Sequence, residues 1–152
     1  MDEITSEINI EINDDSIRRK LDVLTDDQAM LAIHNLLAKM CDPYVPFQDG
    51  VLSQTLEITP QWVRYVQPYS HYIYTGLVYG PNIPIMENGV IVGWFSPPGQ
   101  KKHPTGKHIQ YGTGVHPQAS AEWDKAMMRE HADEFTEQVK QILIRRAREL
   151  YG

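Results

Sequence analysis

The placement of proline and glycine constrains this chain more than any other feature: all ten prolines, and every glycine except Gly152, lie between Pro43 and Pro117. Both residues break regular helices, proline by losing an amide donor and crowding the preceding turn, glycine by its backbone freedom. Long helices are therefore confined to the two ends, and the middle must be built from strands, turns and loops. No internal repeat occurs, and no Ser/Gly-rich or Pro-rich linker is long enough to separate domains. At 152 residues the chain is expected to form one domain, since domains run to about 100–200 residues.

In the N-terminal zone Ile4, Ile8, Ile10 and Ile12 share one parity with polar residues between them, the period of a half-buried strand. Asn13-Asp14-Asp15-Ser16 ends that pattern and caps a short helical turn through Leu21 and Leu24. Thr25-Asp26-Asp27-Gln28 has the form of a capping box and predicts a helix over about 26–41. Met30, Ile33, Leu36, Leu37, Met40 and Cys41 make its apolar stripe, and Asp42-Pro43 ends it. In the C-terminal zone Trp123, Met127, His131, Phe135, Val139 and Leu143 recur every four residues, with Met128, Ile142 and Leu150 beside them. This predicts a helix of about 30 residues, about 45 Å long. Its acids come early and its bases late, as the helix dipole favours.

The middle zone is rich in aromatic and β-branched residues. Residues 62–66, 71–74 and 90–95 read as strands, and Asn88-Gly89 as a tight hairpin turn. Residues 96–110 are polar and basic, and the pattern predicts a projecting loop or arm whose Lys101, Lys102 and Lys107 are suspected assembly contacts. The fold class expected is α+β: an antiparallel sheet across about 55–116, one helix in the N-terminal half and a long C-terminal helix packed on the sheet.

The net charge of −6 and pI near 5.4 argue against partners held by phosphate neutralisation, so direct sequence-specific nucleic-acid binding is not expected. The acid excess is N-terminal: residues 1–27 carry −6, residues 28–117 carry +1 and residues 118–152 carry −1. No apolar run approaches the ~20 residues that span a bilayer, and the first residues show neither the basic nor the apolar segment of a signal peptide. A cytosolic, non-membrane product is expected.

Candidate chemistry is sparse. Cys41 falls on the apolar face of its helix, where a packing role outweighs a catalytic thiol. No Gly-x-Ser-x-Gly, Walker or dinucleotide fingerprint occurs, and Gly112-Thr113-Gly114 is an ordinary loop bend. His103, His108 and His116 share one segment, yet their spacing fits no metal site and neither Cys nor a carboxylate lies between them. His34, His71 and His131 sit in regular elements, and Asp14-Asp15 and Asp26-Asp27 read as helix caps. No catalytic residue, metal or cofactor is expected.

Three stretches, in order along nearly the whole chain, resemble a known family. Tyr44 to Thr55, with Pro46, Phe47, Asp49, Gly50 and Leu52, resembles the Pro-hydrophobic-x-(Asp/Thr)-Gly-x-Leu signature of tailed-phage minor capsid proteins, a family similar to the head–tail joining or tail-completion proteins of siphophages. Tyr69 to Gly76, with Tyr72, resembles that family's tyrosine-rich strand. Tyr111-Gly112-Thr113-Gly114-Val115-His116-Pro117 followed by Trp123 resembles its closing segment. The resemblance implies a virion structural protein, assembled in the host bacterial cytoplasm, whose partners are copies of itself in a ring and the adjacent neck and tail proteins. It implies no catalysis and no cofactor. The segment 96–110 departs from the pattern, so no role carries over to it.

A tail terminator or stopper of the same neck is the near alternative. A small cytosolic enzyme or binding module, with its site among Tyr65, His71, Tyr72, Tyr74 and Trp94, is the distant one. A concave pocket with converging polar groups separates the enzyme from a ring subunit.

Overall fold

The structure, a computed structural model, describes residues 15–152; the strand expected at residues 4–12 lies outside the described residues. The fold is α+β. Helices α1 (Asp15–Leu24) and α2 (Asp27–Cys41) precede a 3-10 turn at Asp42–Tyr44 and the one-turn helix α3 (Val51–Gln54). Strands β1 (Leu56–Ile58) and β2 (Val63–Tyr65), helix α4 (Ser70–Thr75) and strands β3 (Leu77–Gly80), β4 (Ile83–Glu87), β5 (Val90–Phe95) and β6 (His103–His108) fill the middle. Helix α5 (Trp123–Tyr151) ends the chain. Helices of any length are thus terminal, as the proline and glycine distribution requires. No helix among the described residues is long and apolar enough to cross a membrane.

Helix α2 opens one residue later than the capping box implies. Asp26, not Thr25, is its cap: the Asp26 carboxylate accepts from the Ala29 amide at 2.9 Å. The Thr25 hydroxyl instead donates back to the Leu21 and Asp22 carbonyls and closes α1. A carboxylate outcompetes a hydroxyl here because it also pairs with Arg146 of α5, whose Nε and Nη2 donate to it at 2.7 and 3.2 Å. Arg146 and the Ala29 amide hold the Asp26 carboxyl below its ordinary value.

The middle is not one sheet but three antiparallel two-stranded ladders, β1–β2, β3–β6 and β4–β5. Residues 71–74, expected as a strand, form α4. In a strand the neighbours Ile73 and Tyr74 would point to opposite faces. A helical turn lets both pack on the core, which they do. Gly76, at φ 71°, then terminates the turn with its amide donating to the Tyr72 carbonyl.

The core joins Cys41, Tyr44, Val45 and Leu52 to Trp123, Ala126 and Met127 of α5, and no polar or charged residue is buried among the described residues. Helix α5 meets β2 where the Tyr65 ring sits edge-on to Trp123 at 5.0 Å, and it runs along α2 and then α1. Its apolar residues were expected to form one stripe, yet only the start is buried, with Met128 and Leu150 exposed. Two reasons are physical. A four-residue repeat drifts about 40° around the axis per step, so the later apolar positions rotate away from the line that begins at Trp123. The helix also breaks its regular geometry at His131 (φ −128°, ψ 20°), beside Glu130, which accepts the Tyr44 hydroxyl at 2.7 Å.

Candidate functional site

The three sequence stretches singled out above meet at one joint. In the first, Val45 is fully buried and Leu52 nearly so. Pro46 leads into Phe47, and Asp49 accepts from the Val51 amide at 3.2 Å, so the turn is made by Asp49 and Gly50. Gly50 sits at φ 80°, with Phe47 and Gln54 close against the place a side chain would occupy. In the third stretch His116 faces the Val45 carbonyl through Nδ1 at 2.7 Å, so that nitrogen must carry the hydrogen. Its ring stands edge-on to Phe47 at 5.3 Å. Pro117 follows in an exposed turn closed by the Ala119 amide on the His116 carbonyl.

The second stretch is tied to the third by three contacts. The Tyr111 hydroxyl donates to the Ile73 carbonyl, the Glu122 amide donates to the Tyr74 carbonyl at 2.8 Å, and Gly76 lies directly against Ala121. Tyr74 also reaches Asp124 at 2.9 Å. Burial and that carboxylate push its hydroxyl up to about 12. Between these stretches lies a cleft of about 570 Å³ lined by Pro46, Phe47, Leu52, Tyr69, Ile73 and Tyr111. Tyr72 stays outside the joint, its ring edge-on to Tyr79 and to His71.

These contacts fix backbone to backbone, and no nucleophile stands beside a base in them. Burial, and after it the Asp124 charge, pushes the Cys41 thiol up to about 11, so it stays protonated near neutral pH. The residues of the enzyme alternative do not converge. Tyr65 and Tyr74 flank Trp123, His71 stands edge-on to Tyr72, and Trp94 is exposed on β5. None of the three clefts described in this chain is lined by any of them. Among the described residues no three His, Cys, Asp or Glu side chains gather as metal ligands would.

The segment 96–110, expected as a projecting loop or arm, holds a strand over part of its length. Residues 103–108 form β6 and pair with β3, with Leu77 opposite His108 and Gly80 opposite His103. Lys102 donates to the Asn82 side chain at 2.9 Å, which pins the approach to that strand, while Lys107 lies within β6 and Lys101 just before it. The polar composition suits a strand exposed along its whole length, and its ladder is fixed by β3 rather than by a buried face of its own.

The exposed apolar residues of the middle zone concentrate in the β4–β5 hairpin. Asn88 (φ 51°) and Gly89 (φ 80°) make the tight turn that the Asn-Gly pair predicts. Cross-strand partners share a face. Ile83 opposite Phe95 therefore lies on one side and Pro84 opposite Trp94 on the other, and the register shifts between Ile85 and Met86, so that Met86 opposite Ile91 joins the side of Pro84. Every large apolar residue of the hairpin is 45–63% exposed, Trp94 most of all. The sequence signal for this was present in Val90-Ile91-Val92: both parities are apolar, which asks for cover on both faces, and the described chain covers neither.

No protein-family model, curated protein or solved structure matches the chain.

Proposed function

We propose that the chain is a structural subunit of an assembly, a ring-forming neck protein of a tailed phage that joins the capsid connector to the tail. The single observation that carries the reading is the β4–β5 hairpin, apolar on both faces and unpacked. A lone two-stranded hairpin is marginal in water, and contiguous exposed apolar surface on a folded protein marks a contact site. The resemblance of three ordered stretches to phage minor capsid and head–tail joining proteins supplies the kind of assembly. The chain's other partners would then be the neighbouring neck and tail proteins, and its place the virion, reached after assembly in the host cytoplasm.

Light scattering and electron microscopy of the purified protein test this. A mass of six or twelve subunits and ring-shaped particles are expected. A protein that stays at 17.5 kDa at every concentration, alone and with phage heads, would contradict it.

A further inference from the structure

The described chain leaves a second apolar surface open, built from its first and last helices rather than from its middle. Helix α1 and the last turns of α5 bound a groove of about 920 Å³ with Val23, Leu143, Ile144 and Ala147 on its walls. A cavity of about 150 Å³ accepts one benzene ring, so the groove has room for several large side chains. The side chains that line it are net basic, Arg19, Lys20 and Arg148 against the single carboxylate of Asp15. Arg19 stacks on Tyr151, with the guanidinium carbon 5.2 Å from the ring centre. Lys20 and Arg148 make no ion pair with a described carboxylate.

The hairpin is the chemical complement of this groove. From Ile83 to Phe95 it carries one charged residue, Glu87, at the end of β4 beside the turn. An apolar body with an acidic tip fits an apolar groove whose charged lining is net basic. We propose that the β4–β5 hairpin of one copy seats in the α1–α5 groove of a second copy, with Glu87 against Lys20 and Arg148. The inference rests on the assembly reading above and names its contact. Hairpin and groove are different surfaces, so the contact is head-to-tail and leaves each copy one hairpin to give and one groove to fill. Repeated by a rotation that divides the circle, such a contact closes a ring.

Charge reversal tests the pairing. Glu87→Lys and Arg148→Glu each place like charges together and are expected to raise the apparent dissociation constant about tenfold or more. The double variant is expected to recover the mass of the wild type in light scattering. As a second measurement, a Glu87→Cys chain is mixed with a Lys20→Cys chain and oxidised. A crosslinked dimer is expected, and none from Lys101→Cys mixed with Lys20→Cys. Wild-type rings with no effect of either reversal, and no crosslink between the Glu87→Cys and Lys20→Cys chains, would overturn the contact and leave the assembly reading standing. A wild-type protein that is a monomer throughout would overturn both. Arg148→Glu that lowers thermal stability at unchanged mass would point to an occupant within the same chain, such as its acidic residues 1–14, and would also overturn the proposal.

Discussion

The joint around Trp123 and the β4–β5 hairpin are built from the same kinds of residue, and one is closed while the other is open. Trp123 is 4% exposed and Trp94 63%. At the joint, apolar residues come from elements far apart in the chain, and polar contacts such as His116 on the Val45 carbonyl lock their backbones. In the hairpin all the apolar residues come from thirteen consecutive positions joined by a two-residue turn. Local sequence can shape such an element but cannot cover it. Apolar content therefore says that a residue will be buried somewhere, and only long-range partners decide whether that happens within one chain or between chains.

The largest effect should come from the closed region. Trp123→Ala removes an indole packed between Tyr65 and Tyr74 and is expected to cost about 3–5 kcal/mol, read from the denaturant midpoint. A Trp123→Ala protein of wild-type stability would erase the distinction between the regions.

A pair of glycines sharpens it. Gly76 and Gly89 both sit at positive φ, but a Cβ on Gly76 would lie 2.7 Å from the Ala121 Cβ, whereas one on Gly89 meets nothing within 4 Å. Gly76→Ala is expected to lose about 2–4 kcal/mol from strain and overpacking together, and Gly89→Ala about 1–2 kcal/mol from strain alone. Equal losses in thermal melts would mean that the joint is looser than its contacts imply.

Smaller still is the contribution of the Asp26–Arg146 pair that binds the two ends of the chain. The Asp26 carboxyl is held below its ordinary value by Arg146, then by the Ala29 amide. Its stabilisation is therefore complete above the ordinary carboxylate range and lost as acid protonates the folded form. Asp26→Asn should melt below wild type at neutral pH, and the gap should close as pH falls below about 4. A gap that widens in acid would reverse the sign assigned to the pair.

The smallest folding effect belongs to the open region. Trp94→Ala is expected to leave subunit stability within about 0.5 kcal/mol of wild type, while light scattering shows loss of assembled mass. A large drop in the melting temperature of the isolated subunit would place Trp94 in a core after all.

Much of this was legible from local pattern. The proline and glycine distribution placed the helices, Asp42-Pro43 ended α2, and Asn88-Gly89 made its hairpin turn. Two kinds of feature escaped. Residues 71–74 have strand propensity, but long-range packing of both Ile73 and Tyr74 overrode it. Polar β6 has no apolar alternation to announce a strand, because its ladder with β3 was set by backbone pairing. The motif residues Phe47, Tyr111 and His116 were visible as types, while their meeting in one joint depends on pairings across 71 residues (His116 to Val45) that no local window contains.

The cap of α2 also sets a clock. Arg146 follows Asp26 by 120 residues, and at about 5–20 residues per second of synthesis it emerges roughly 6–24 s later. Through that interval α1 and α2 lack the helix they pack on, and in its later part the hairpin, complete at Phe95, has left the ribosome with its apolar faces bare. Newborn chains are thus sticky at both surfaces before either can be completed. Production in a host would be governed by how quickly the last helix arrives, and slowing translation across α5 should send more chains to aggregates or chaperones than slowing it anywhere earlier.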